Sequence, residues 1–563
     1  MKNSKNAVCF AFIIFLVSIA CVIPVFGEGE AIGTNDNDEV AAVILFTNDI
    51  HCAYEENIGF DGLALYKKQL EQVYDHVLLV DSGDAVQGSA IGVISKGQAI
   101  TRMMNAVGYD VATLGNHEFD FGMEALDDIV ELFEGTYVCV NFCTSDGTPI
   151  FSPGIILDAG GMQIGFVGAD TPDTYTKTSI KNILDDSGRP MYDFLVDRDG
   201  SKLRGALQDS VDKLRREGAD VVILLSHLGD NEGVSEQFRT SKVIEGVNGI
   251  DAILDGHTHQ FFSKTIKDKD GKEILTLQTG TKFESVGQLT IYKDGHMDAE
   301  LIEEIPGSDS LPMETVVRRG KERFVDPEMH AIQTEIAQSY DDILNEKIGE
   351  TSFDLLVEED GEYIISRAQE NALCELVADA YRETGNSDIG VVTAGSLRNN
   401  LLKGDITYSS MLSLLPYSNE IMTVSVSGRM LRDILEYSVS NLPNKSGKLL
   451  QVSGLTFTVD LSIESGVKLD DKGQFAYVDG PYRVSDIQVG GKDLDLSAEY
   501  TLTTSDFVVN GGDGYSAFHE ADFVNDTMKA DNIVVKEYIE TVLGGVIPDL
   551  YREPLGRMNV INP

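Results

Sequence analysis

The stretch Val111 to Gly122 reads Val-Ala-Thr-Leu-Gly-Asn-His-Glu-Phe-Asp-Phe-Gly, and the rest of the chain is organised around it. Apolar residues stop at Leu114 and a glycine follows, which predicts a short buried strand that carries polar side chains to its carboxyl end. Asn116 offers a carbonyl oxygen to a metal ion, and His117 and Asp120 have the spacing of an oriented acid/base pair. Alone, such a sequence is more often a turn with a hydrogen-bonded imidazole, so the neighbouring segments decide between the two interpretations.

Four other apolar runs along the chain also end in metal-ligating side chains. These runs are Ala41 to Phe46 before Asp49 and His51, Val77 to Val80 before Asp84, Val221 to Leu225 before His227, and Ala252 to Leu254 before His257 and His259. Helix-like segments separate the runs, among them Gly62 to Gln72, Met123 to Leu132 and Leu203 to Arg216. One such ending is usually structural, but five that can converge at the carboxyl ends of parallel strands predict a metal site.

Length and composition describe a folded, acidic protein. The 563 residues are enough for several domains, and 42% hydrophobic with 24% charged residues is typical of globular chains. The formal net charge of −48 repels phosphate backbones and argues against nucleic-acid binding as the main function. A phosphorylated substrate would need local cations, while the acidity itself is best explained as a solvated surface outside the cell or in high salt.

The N-terminus predicts export. Lys2 and Lys5 precede an apolar run from Ala7 to Phe26, so residues 1–27 have the pattern of a secretory signal, and residues 28–40 form a polar, acidic leader. The expected location is therefore secreted or in the cell envelope. The run is also long enough to span a bilayer, so an uncleaved anchor is the alternative, and only then would the protein contact a membrane.

Cysteine usage is sparse after the signal. Cys52, Cys139, Cys143 and Cys374 are too few for a disulfide framework in a chain of this length. Cys139 and Cys143 could pair in an oxidising compartment, but we expect them to be buried strand thiols.

The organisation of the chain changes after the last of the five runs. Residues 41–312 contain all the metal-ligating ends and form the first predicted domain. In the following segment, 313–349, Asp326 and Pro327 signal a helix start, and apolar residues continue at helical spacing up to Lys347. This pattern predicts one connecting helix, with a helix belonging to either domain as the alternative. Residues 350–563 carry strands and helices of their own and form a second domain.

The motifs resemble those of a known family. The blocks are Thr47-Asn48-Asp49-Ile50-His51, Gly83-Asp84, Gly115-Asn116-His117-Glu118, Ser226-His227 and Gly256-His257-Thr258-His259. They look like the five blocks of the calcineurin-like metallophosphoesterases, and their order and spacing resemble the secreted 5'-nucleotidase and UDP-sugar hydrolase branch. The resemblance implies an α/β protein with an N-terminal four-layer αββα metallophosphoesterase domain, a connecting helix and a C-terminal α+β 5'-nucleotidase substrate-binding domain.

The same resemblance implies two divalent metal ions and assigns their ligands. One ion would be held by Asp49, His51 and His259, the other by Asn116, His227 and His257, with Asp84 bridging the pair. His117, oriented by Asp120, would stabilise the transition state or protonate the leaving oxygen. Mixed Asp, Asn and His ligation suits zinc, manganese, cobalt, iron or nickel, and the sequence leaves the choice among them open.

Four segments of the second domain resemble the substrate-binding domain of this branch. They are Ala394 to Arg398, Leu415 to Asn419, Leu450 to Gly454 and Phe507 to Tyr515. By analogy, Arg398 would contact phosphate, Phe507 would stack on a base and Asp513 would accept from ribose hydroxyls. A second aromatic is expected shortly before Gln451, where this chain has Leu449 and Leu450, so we expect loose base selectivity.

The leading hypothesis from the sequence is a phosphohydrolase that releases phosphate from nucleoside 5'-monophosphates. UDP-sugars and 2',3'-cyclic nucleotides are further candidate substrates, and the small-molecule nucleotide is the expected partner. The sequence leaves the oligomeric state open. One alternative is a related metal-dependent hydrolase of the thiosulfohydrolase type, and another is a surface metal-binding protein without turnover. The acid/base pair of His117 and Asp120 favours an enzyme over the last of these.

Overall fold

The computed structural model describes residues 39–177, 191–231, 234–359, 364–417, 419–470 and 473–561. The predicted signal, 1–27, and nearly all of the predicted leader, 28–40, lie outside these ranges. No helix within them is long and apolar enough to cross a membrane.

The N-terminal part contains two large mixed sheets. Its strands are β1 Val40–Thr47, β2 Val77–Asp81, β3 Val111–Thr113, β4 Thr136–Val138, β5 Cys143–Thr144, β6 Gly154–Ala159, β7 Met162–Asp170, β8 Tyr192–Asp193, β9 Val221–His227, β10 Ala252–Leu254, β11 Phe261–Lys267, β12 Glu273–Thr279, β13 Val286–Tyr292 and β14 Met297–Ile302. One sheet has the order β14-β13-β1-β2-β3-β4 and the other β11-β12-β10-β9-β7-β6. All five predicted strands are present, and within each sheet their neighbours among the five run parallel.

Helices cover the outer faces of both sheets. They are α1 Gly59–Glu71, α2 Ala90–Ser95, α3 Gln98–Val107, α4 Met123–Leu132, α5 Thr174–Lys177, α6 Ser201–Arg216 and α7 Thr240–Ile244. Helix α3 shows why they form, because its buried residues recur at helical spacing, from Ala99 and Ile100 to Met103, Met104 and Val107.

Three hydrophobic cores stack through this part of the molecule. The central core joins the facing sides of the two sheets and includes Ile44 and Phe46 from one, and Ile223 and Leu225 from the other. Separate cores lie between the first sheet and α1 and α3, and between the second sheet and α6 and α7. The layers therefore run helix, sheet, sheet, helix, which confirms the predicted αββα architecture.

The connecting segment differs from its prediction. It begins with a hairpin, β15 Glu314–Arg318 and β16 Lys321–Val325, which the sequence did not reveal. Asp326 then caps α8, Pro327–Gln338, by accepting from the Met329 N–H at 2.8 Å. The predicted single helix up to Lys347 is wrong, because α8 ends at Gln338 and a separate short helix, α9, spans Asp341–Leu344. At the break, the Ser339 hydroxyl donates to the Ile336 carbonyl and competes with helical hydrogen bonding.

The C-terminal part is an α+β domain. Its strands are β17 Lys347–Thr351, β18 Ile389–Thr393, β19 Gly404–Thr407, β20 Glu420–Ser427, β21 Leu450–Ser453, β22 Leu455–Asp460, β23 Val467–Leu469, β24 Phe475–Val478, β25 Val484–Val489, β26 Lys492–Asp493, β27 Glu499–Ser505, β28 Asp522–Ala530 and β29 Met558–Ile561. The helices are α10 Ile364–Ala368, α11 Ala372–Gly385, α12 Tyr408–Leu414, α13 Gly428–Ser438, α14 Asp506–Val509 and α15 Asp531–Glu537. The main sheet has the order β21-β18-β27-β20-β28, and a smaller one has the order β26-β25-β22-β29.

The two domains contact each other beside the ends of the strands that carry the predicted metal ligands. Helix α12 packs against α2, and the 3-10 turn Gly512–Gly514 contacts α5. Helix α5 also contacts the 3-10 turn Asn116–Phe119, which carries the opening motif of the sequence. Helix α5 of the first domain therefore contacts both the Gly512–Gly514 turn of the second domain and the Asn116–Phe119 turn of the first.

The four described cysteines, Cys52, Cys139, Cys143 and Cys374, are all buried free thiols. This confirms the burial expected for Cys139 and Cys143, of which Cys143 lies in β5 and Cys139 directly follows β4. Burial raises the pKa of the Cys52 and Cys139 thiols to about 12. No disulfide joins the cysteines within the described part of the chain.

Candidate active site

The loops that follow β1, β2, β3, β9 and β10 converge at one edge of the two sheets and bring the predicted ligands together. Five of the predicted ligands, Asp49, His51, Asp84, His257 and His259, adopt positive φ angles between 48° and 71°. Non-glycine residues rarely adopt this conformation, and such strain persists only where the surrounding structure enforces it. The concentration of strained backbone angles at these residues is typical of a functional site.

Asp49, His51 and His259 form the first group of ligating atoms. His51 Nε2 lies 3.0 Å from His259 Nε2, and Asp49 Oδ1 lies 3.3 Å from the same His259 atom. The other ring nitrogen of His51, Nδ1, is 3.0 Å from the Gln87 carbonyl. That contact fixes the ring and directs Nε2 toward the group, as is usual for metal-binding histidines.

Asp84, His227 and His257 form the second group. Asp84 Oδ2 lies 3.0 Å from His227 Nε2, and His227 Nδ1 is 2.7 Å from the Ser82 carbonyl. Asn116 lies beside them on the turn after β3, where its neighbour His117 donates its backbone N–H to Asp84 Oδ1 at 2.8 Å.

Asp84 is within reach of both groups, because its Oδ2 is also 3.9 Å from His51 Nε2. Burial acts to raise the pKa of this carboxyl group, but the opposing charges of His227, His117 and His51 hold it well below its usual value. Asp84 is therefore a carboxylate placed between two sets of ligands.

The residues fit divalent metal ions. Within each group the ligating atoms all lie within 4.8 Å of one another, as atoms sharing one ion must. Asn116 Oδ1 is buried and accepts no hydrogen bond from any described residue, which a protein interior rarely tolerates. A cation at this place would satisfy that oxygen, and the mixture of carboxylate, amide and imidazole donors suits the borderline metals.

His117 and Asp120 form the predicted pair. His117 Nδ1 lies 2.6 Å from Asp120 Oδ2, and the imidazole is mostly buried. Burial alone would lower the pKa of His117, but Asp120 and Asp84 together raise it to about 9. The imidazole is thus held as a proton donor by the carboxylates around it.

Glu118 belongs to the Gly115 to Glu118 motif and had no role predicted from the sequence, but the structure shows that it positions the site. Its buried carboxylate accepts from the backbone N–H of Gly115 at 2.6 Å, and from those of Asp84 and Ala85 at 2.9 Å each. It therefore ties the loop after β2 to the loop after β3 and sets the position of Asp84. A glutamate directly after the Asn-His pair was the available signal.

The second domain contributes Tyr417 and Arg398 to the same place. The Tyr417 ring stacks on His117, with centroids 5.6 Å apart and an interplanar angle of 26°. The Arg398 guanidinium lies 5.8 Å from the Tyr417 ring, and its positive charge acts to lower the pKa of both His51 and His117. Arg398 was predicted from the sequence to contact phosphate, whereas Tyr417 lies in the Leu415 to Asn419 motif and had no predicted role.

Asp513 lies in the 3-10 turn Gly512–Gly514, and Phe507 lies beside that turn in α14. The Phe507 ring lies directly over Gly512, where a Cβ atom would clash with it. Leu449 and Leu450 are 0% and 1% exposed, so neither can offer a surface to a base. The interpretation that one of them takes the place of a second aromatic is therefore wrong, because both belong to the core of the domain. Loose base selectivity remains a prediction.

Comparison with known proteins gives consistent results for both domains of the chain. Residues 42–261 match the calcineurin-like phosphoesterase family, and residues 347–520 match the family described as 5'-nucleotidase, C-terminal domain. The bovine (Bos taurus) 5'-nucleotidase is 26% identical over 537 residues, which cover 88% of each protein. The trifunctional nucleotide phosphoesterase protein YfkN of Bacillus subtilis is 25% identical over 90% of this chain, which spans about a third, 34%, of that longer protein.

Among solved structures, the 5'-nucleotidase precursor from Thermus thermophilus superposes with a TM-score of 0.70 at 24% identity, covering 93% of this chain and 99% of that one. The two family matches follow the division between the two domains. In this chain the five motifs lie together at one edge of the two sheets. The chain therefore belongs to the calcineurin-like 5'-nucleotidase family and is a phosphoric ester hydrolase.

Proposed function

We propose that this protein releases phosphate from nucleoside 5'-monophosphates at a pair of divalent metal ions, outside the cytoplasm. The observation that carries the proposal is the contact of Tyr417 and Arg398 with the predicted metal site through His117. A phosphate held at the strand ends of the first domain would lie next to the ligand-binding loops of the second domain. A nucleotide suits this arrangement, because its phosphate could bind at the strand ends while its nucleoside contacts the loops of the second domain.

The two groups of ligating residues define how the ions would be held. Asp49, His51 and His259 would bind one ion and Asn116, His227 and His257 the other, with Asp84 shared. The phosphoesterase fold implies divalent ions, which when bound neutralise phosphate charge and lower the pKa of a water molecule.

The remaining steps belong to the side chains of the chain itself. His117, oriented by Asp120 at 2.6 Å, donates a proton to the leaving nucleoside oxygen. Arg398, 5.8 Å from the Tyr417 ring that stacks on His117, adds a positive charge and neutralises part of the charge that develops on the phosphoryl group. Tyr417 covers His117 and shields the proton donor from water.

The nucleoside would be held by the C-terminal domain. Phe507, supported by Gly512, offers an aromatic face for stacking on a base, and Asp513 offers a carboxylate that can accept from ribose hydroxyls. UDP-sugars and 2',3'-cyclic nucleotides also join a phosphate group to a nucleoside whose base Phe507 could stack on, so they are further proposed substrates. The Bacillus subtilis relative is named a trifunctional nucleotide phosphoesterase, which supports such breadth.

Location outside the cytoplasm rests on residues 1–27. Two lysines followed by an apolar run have the pattern of a secretory signal, and the strongly acidic composition is compatible with an exported protein. Fractionation of cells expressing the full chain tests this part, because a protein retained in the cytoplasm with its N-terminus intact would contradict it.

Phosphate release after metal reconstitution tests the function. The protein is stripped with a chelator and reloaded separately with zinc, manganese, cobalt, iron or nickel. It is then given AMP, UMP, UDP-glucose, 2',3'-cyclic AMP, bis-p-nitrophenyl phosphate and a thiosulfonate. Metal-dependent release from AMP and UMP supports the proposal. Turnover of a thiosulfonate but no nucleotide would favour the thiosulfohydrolase alternative, and bound metal without any turnover would favour a metal-binding protein.

A further inference from the structure

We propose that Lys448 is a specificity residue that, together with Asp513, recognises the two adjacent hydroxyl groups of the substrate ribose. The inference rests on the proposed function, because it assumes that a nucleoside binds at Asp513. It adds a hydrogen-bond donor to a site at which the sequence suggested only an acceptor.

The backbone places Lys448 between the two ligand-binding turns of the C-terminal domain. On one side, Gly395 donates its N–H to the Gly447 carbonyl at 2.8 Å, and Ala394 donates to the Leu449 carbonyl at 2.8 Å. The turn containing Gly395 leads directly to Arg398. On the other side, the Tyr515 hydroxyl donates to the carbonyl of Lys448 itself at 2.5 Å. The backbone of Lys448 is therefore fixed between the turn that contains Gly395 and the Gly512–Gly514 turn.

The side chain of Lys448 is held on the face of Tyr437. Its Nζ lies 3.9 Å from the centre of the Tyr437 ring and donates to Ser440 Oγ at 2.8 Å. The hydroxyl of the same Tyr437 donates to the backbone carbonyl of Asp513 at 2.8 Å. Tyr437 thus connects the two charged residues, and Asp513 attracts the ammonium group electrostatically.

The chemistry of this pair matches a vicinal diol. A carboxylate can only accept hydrogen bonds, whereas an ammonium group has three donors, of which Ser440 uses one. Each ribose hydroxyl can donate to Asp513 and accept from Lys448 at the same time. A phosphate group is the poorer fit, because Asp513 would repel it and Arg398 with the metal ligands already provides for it. A 2'-deoxyribose keeps only one of the two hydroxyl groups, so it would make one hydrogen bond fewer to each of the two charged residues.

Burial also gives Lys448 a distinctive reactivity. The loss of hydration lowers the pKa of this lysine to about 8, although Asp513 acts in the opposite direction. A substantial fraction is therefore the neutral amine in mildly alkaline solution, the form that attacks aldehydes.

Kinetics with sugar-modified substrates test the inference. The full-length, metal-loaded protein and its Lys448→Met, Lys448→Arg and Lys403→Met variants are assayed with AMP, 2'-deoxy-AMP and 3'-deoxy-AMP. We expect Lys448→Met to lower the ratio of kcat/KM for AMP over the deoxy substrate about tenfold, mainly through KM for AMP, as loss of a charged hydrogen bond predicts. Lys448→Arg keeps a donor and should recover part of the ratio. Lys403 is an exposed lysine of the same domain, and its variant should behave as wild type.

Covalent labelling supplies a second readout that does not need turnover. Periodate-oxidised AMP carries two aldehydes in place of the ribose diol. The Lys448 amine adds to one aldehyde and loses water to form an imine, which borohydride reduces to a stable secondary amine. We expect peptide mass spectrometry to find the label on Lys448, with protection by excess AMP, and to find it lost in Lys448→Met.

The outcomes separate this inference from the proposed function. If wild type hydrolyses AMP but Lys448→Met keeps the wild-type preference for ribose, or the label falls on other lysines, the inference is overturned and the function stands. If the label reaches Lys448 but no phosphate leaves AMP, the ribose site stands and the function fails. A Lys448→Met protein that loses activity equally on AMP and both deoxy substrates would show a merely structural lysine, and unchanged thermal melting excludes misfolding as the cause of a selective loss.

Discussion

Asp84 lies between the two groups of predicted metal ligands. The same carboxylate oxygen, Oδ2, is near His51 of the first group and His227 of the second. We expect Asp84→Asn to leave fewer than two metal ions per chain and to reduce kcat for AMP by roughly 10³-fold or more, because a shared ligand serves both ions and each ion provides several kcal/mol of stabilisation. Metal analysis alongside the rate measurement checks both effects.

Asp49→Asn is the matched control for Asp84, since Asp49 belongs to the first group alone in the proposed assignment. It should lose less activity and retain the second ion. An Asp84→Asn protein with two tightly bound ions and near-normal turnover would reject the bridging role.

His117 is close to the proposed metal ligands without being needed to complete either set. We expect His117→Ala to keep both metal ions while kcat falls by roughly 10² to 10⁴, the usual range for a positioned proton donor. The loss should be smaller for p-nitrophenyl phosphate, whose leaving group needs no protonation. Asp120→Asn, which removes the 2.6 Å partner of His117, should show the same pattern more weakly. A fall in metal content with His117→Ala would make this histidine a ligand instead.

Helix α8 is attached to the first domain through a buried carboxylate on α1. Asp61 accepts from two guanidinium nitrogens of Arg318 at 2.7 and 2.6 Å, from Gln333 at 2.9 Å, and lies 2.8 Å from His330 Nδ1. Asp61→Ala leaves Arg318 buried without its partner, so we expect a loss of about 3–5 kcal/mol in the free energy of unfolding. Urea denaturation followed by circular dichroism measures it, since the chain has no tryptophan.

The exposed pair of Glu56 and Arg319 is the control for that network, because it joins the same two regions at the surface. Glu56→Ala should cost no more than about 1 kcal/mol. Equal losses in the two variants would mean that burial of the Asp61 network does not matter.

Helix α11 carries a buried glutamate that makes stability depend on pH. Glu375 is 1% exposed and accepts from the Leu555 N–H at 2.9 Å, and burial, with Glu370 nearby, raises its pKa to about 8. The folded protein keeps this proton to higher pH than the unfolded chain, whose glutamates titrate near pH ~4.3. The stabilisation is present at low pH and is lost as pH rises toward 8, at up to about 1.4 kcal/mol per pH unit.

We expect Glu375→Gln to flatten this dependence, because an amide has no proton to lose. The measurement is the free energy of unfolding at several values between about pH 5 and pH 8. Glu383→Gln, an exposed change on the same helix, should leave the wild-type slope intact. If the Glu375→Gln slope equals that of wild type, other groups cause the pH dependence.

Regular elements were predictable where one physical signal dominated. The five strands stood out as apolar runs bounded by polar residues, and the start of α8 was marked by Asp326 and Pro327. The hairpin β15–β16 gave no such signal, since its side chains are mostly exposed and charged. The end of α8 depends on a local hydrogen bond of Ser339, which competes with an apolar spacing that continues beyond it.

At the scale of the whole molecule, the site combines residues from both domains. The metal-ligating side chains could be predicted as a cluster, because parallel strands bring their carboxyl ends to one edge. The stacking of Tyr417 on His117 could not, since it depends on how two separately folded domains meet. The burial of Leu449 and Leu450 was missed for a different reason, because the pattern of residues does not say which face of a segment lies in the core of its own domain.

Tyr417 provides a test of this interdomain arrangement. We expect Tyr417→Ala to raise KM for AMP by about 2- to 10-fold, the value of one aromatic contact, while Tyr417→Phe keeps the ring and stays near wild type. Phe507→Ala should raise KM for every nucleotide and affect p-nitrophenyl phosphate much less, as that substrate has no base. Unchanged KM for AMP in Tyr417→Ala would show that the two domains meet differently during turnover.

The buried thiols have a consequence for how the opening of each domain can be followed. The thiolate is the form that reacts with alkylating reagents, and burial keeps all four described cysteines protonated in the folded protein. Cys52, Cys139 and Cys143 belong to the phosphoesterase domain, and Cys374 belongs to helix α11 of the other. The rate at which iodoacetamide reaches each cysteine therefore reports how often its own domain unfolds, with no probe added to the chain.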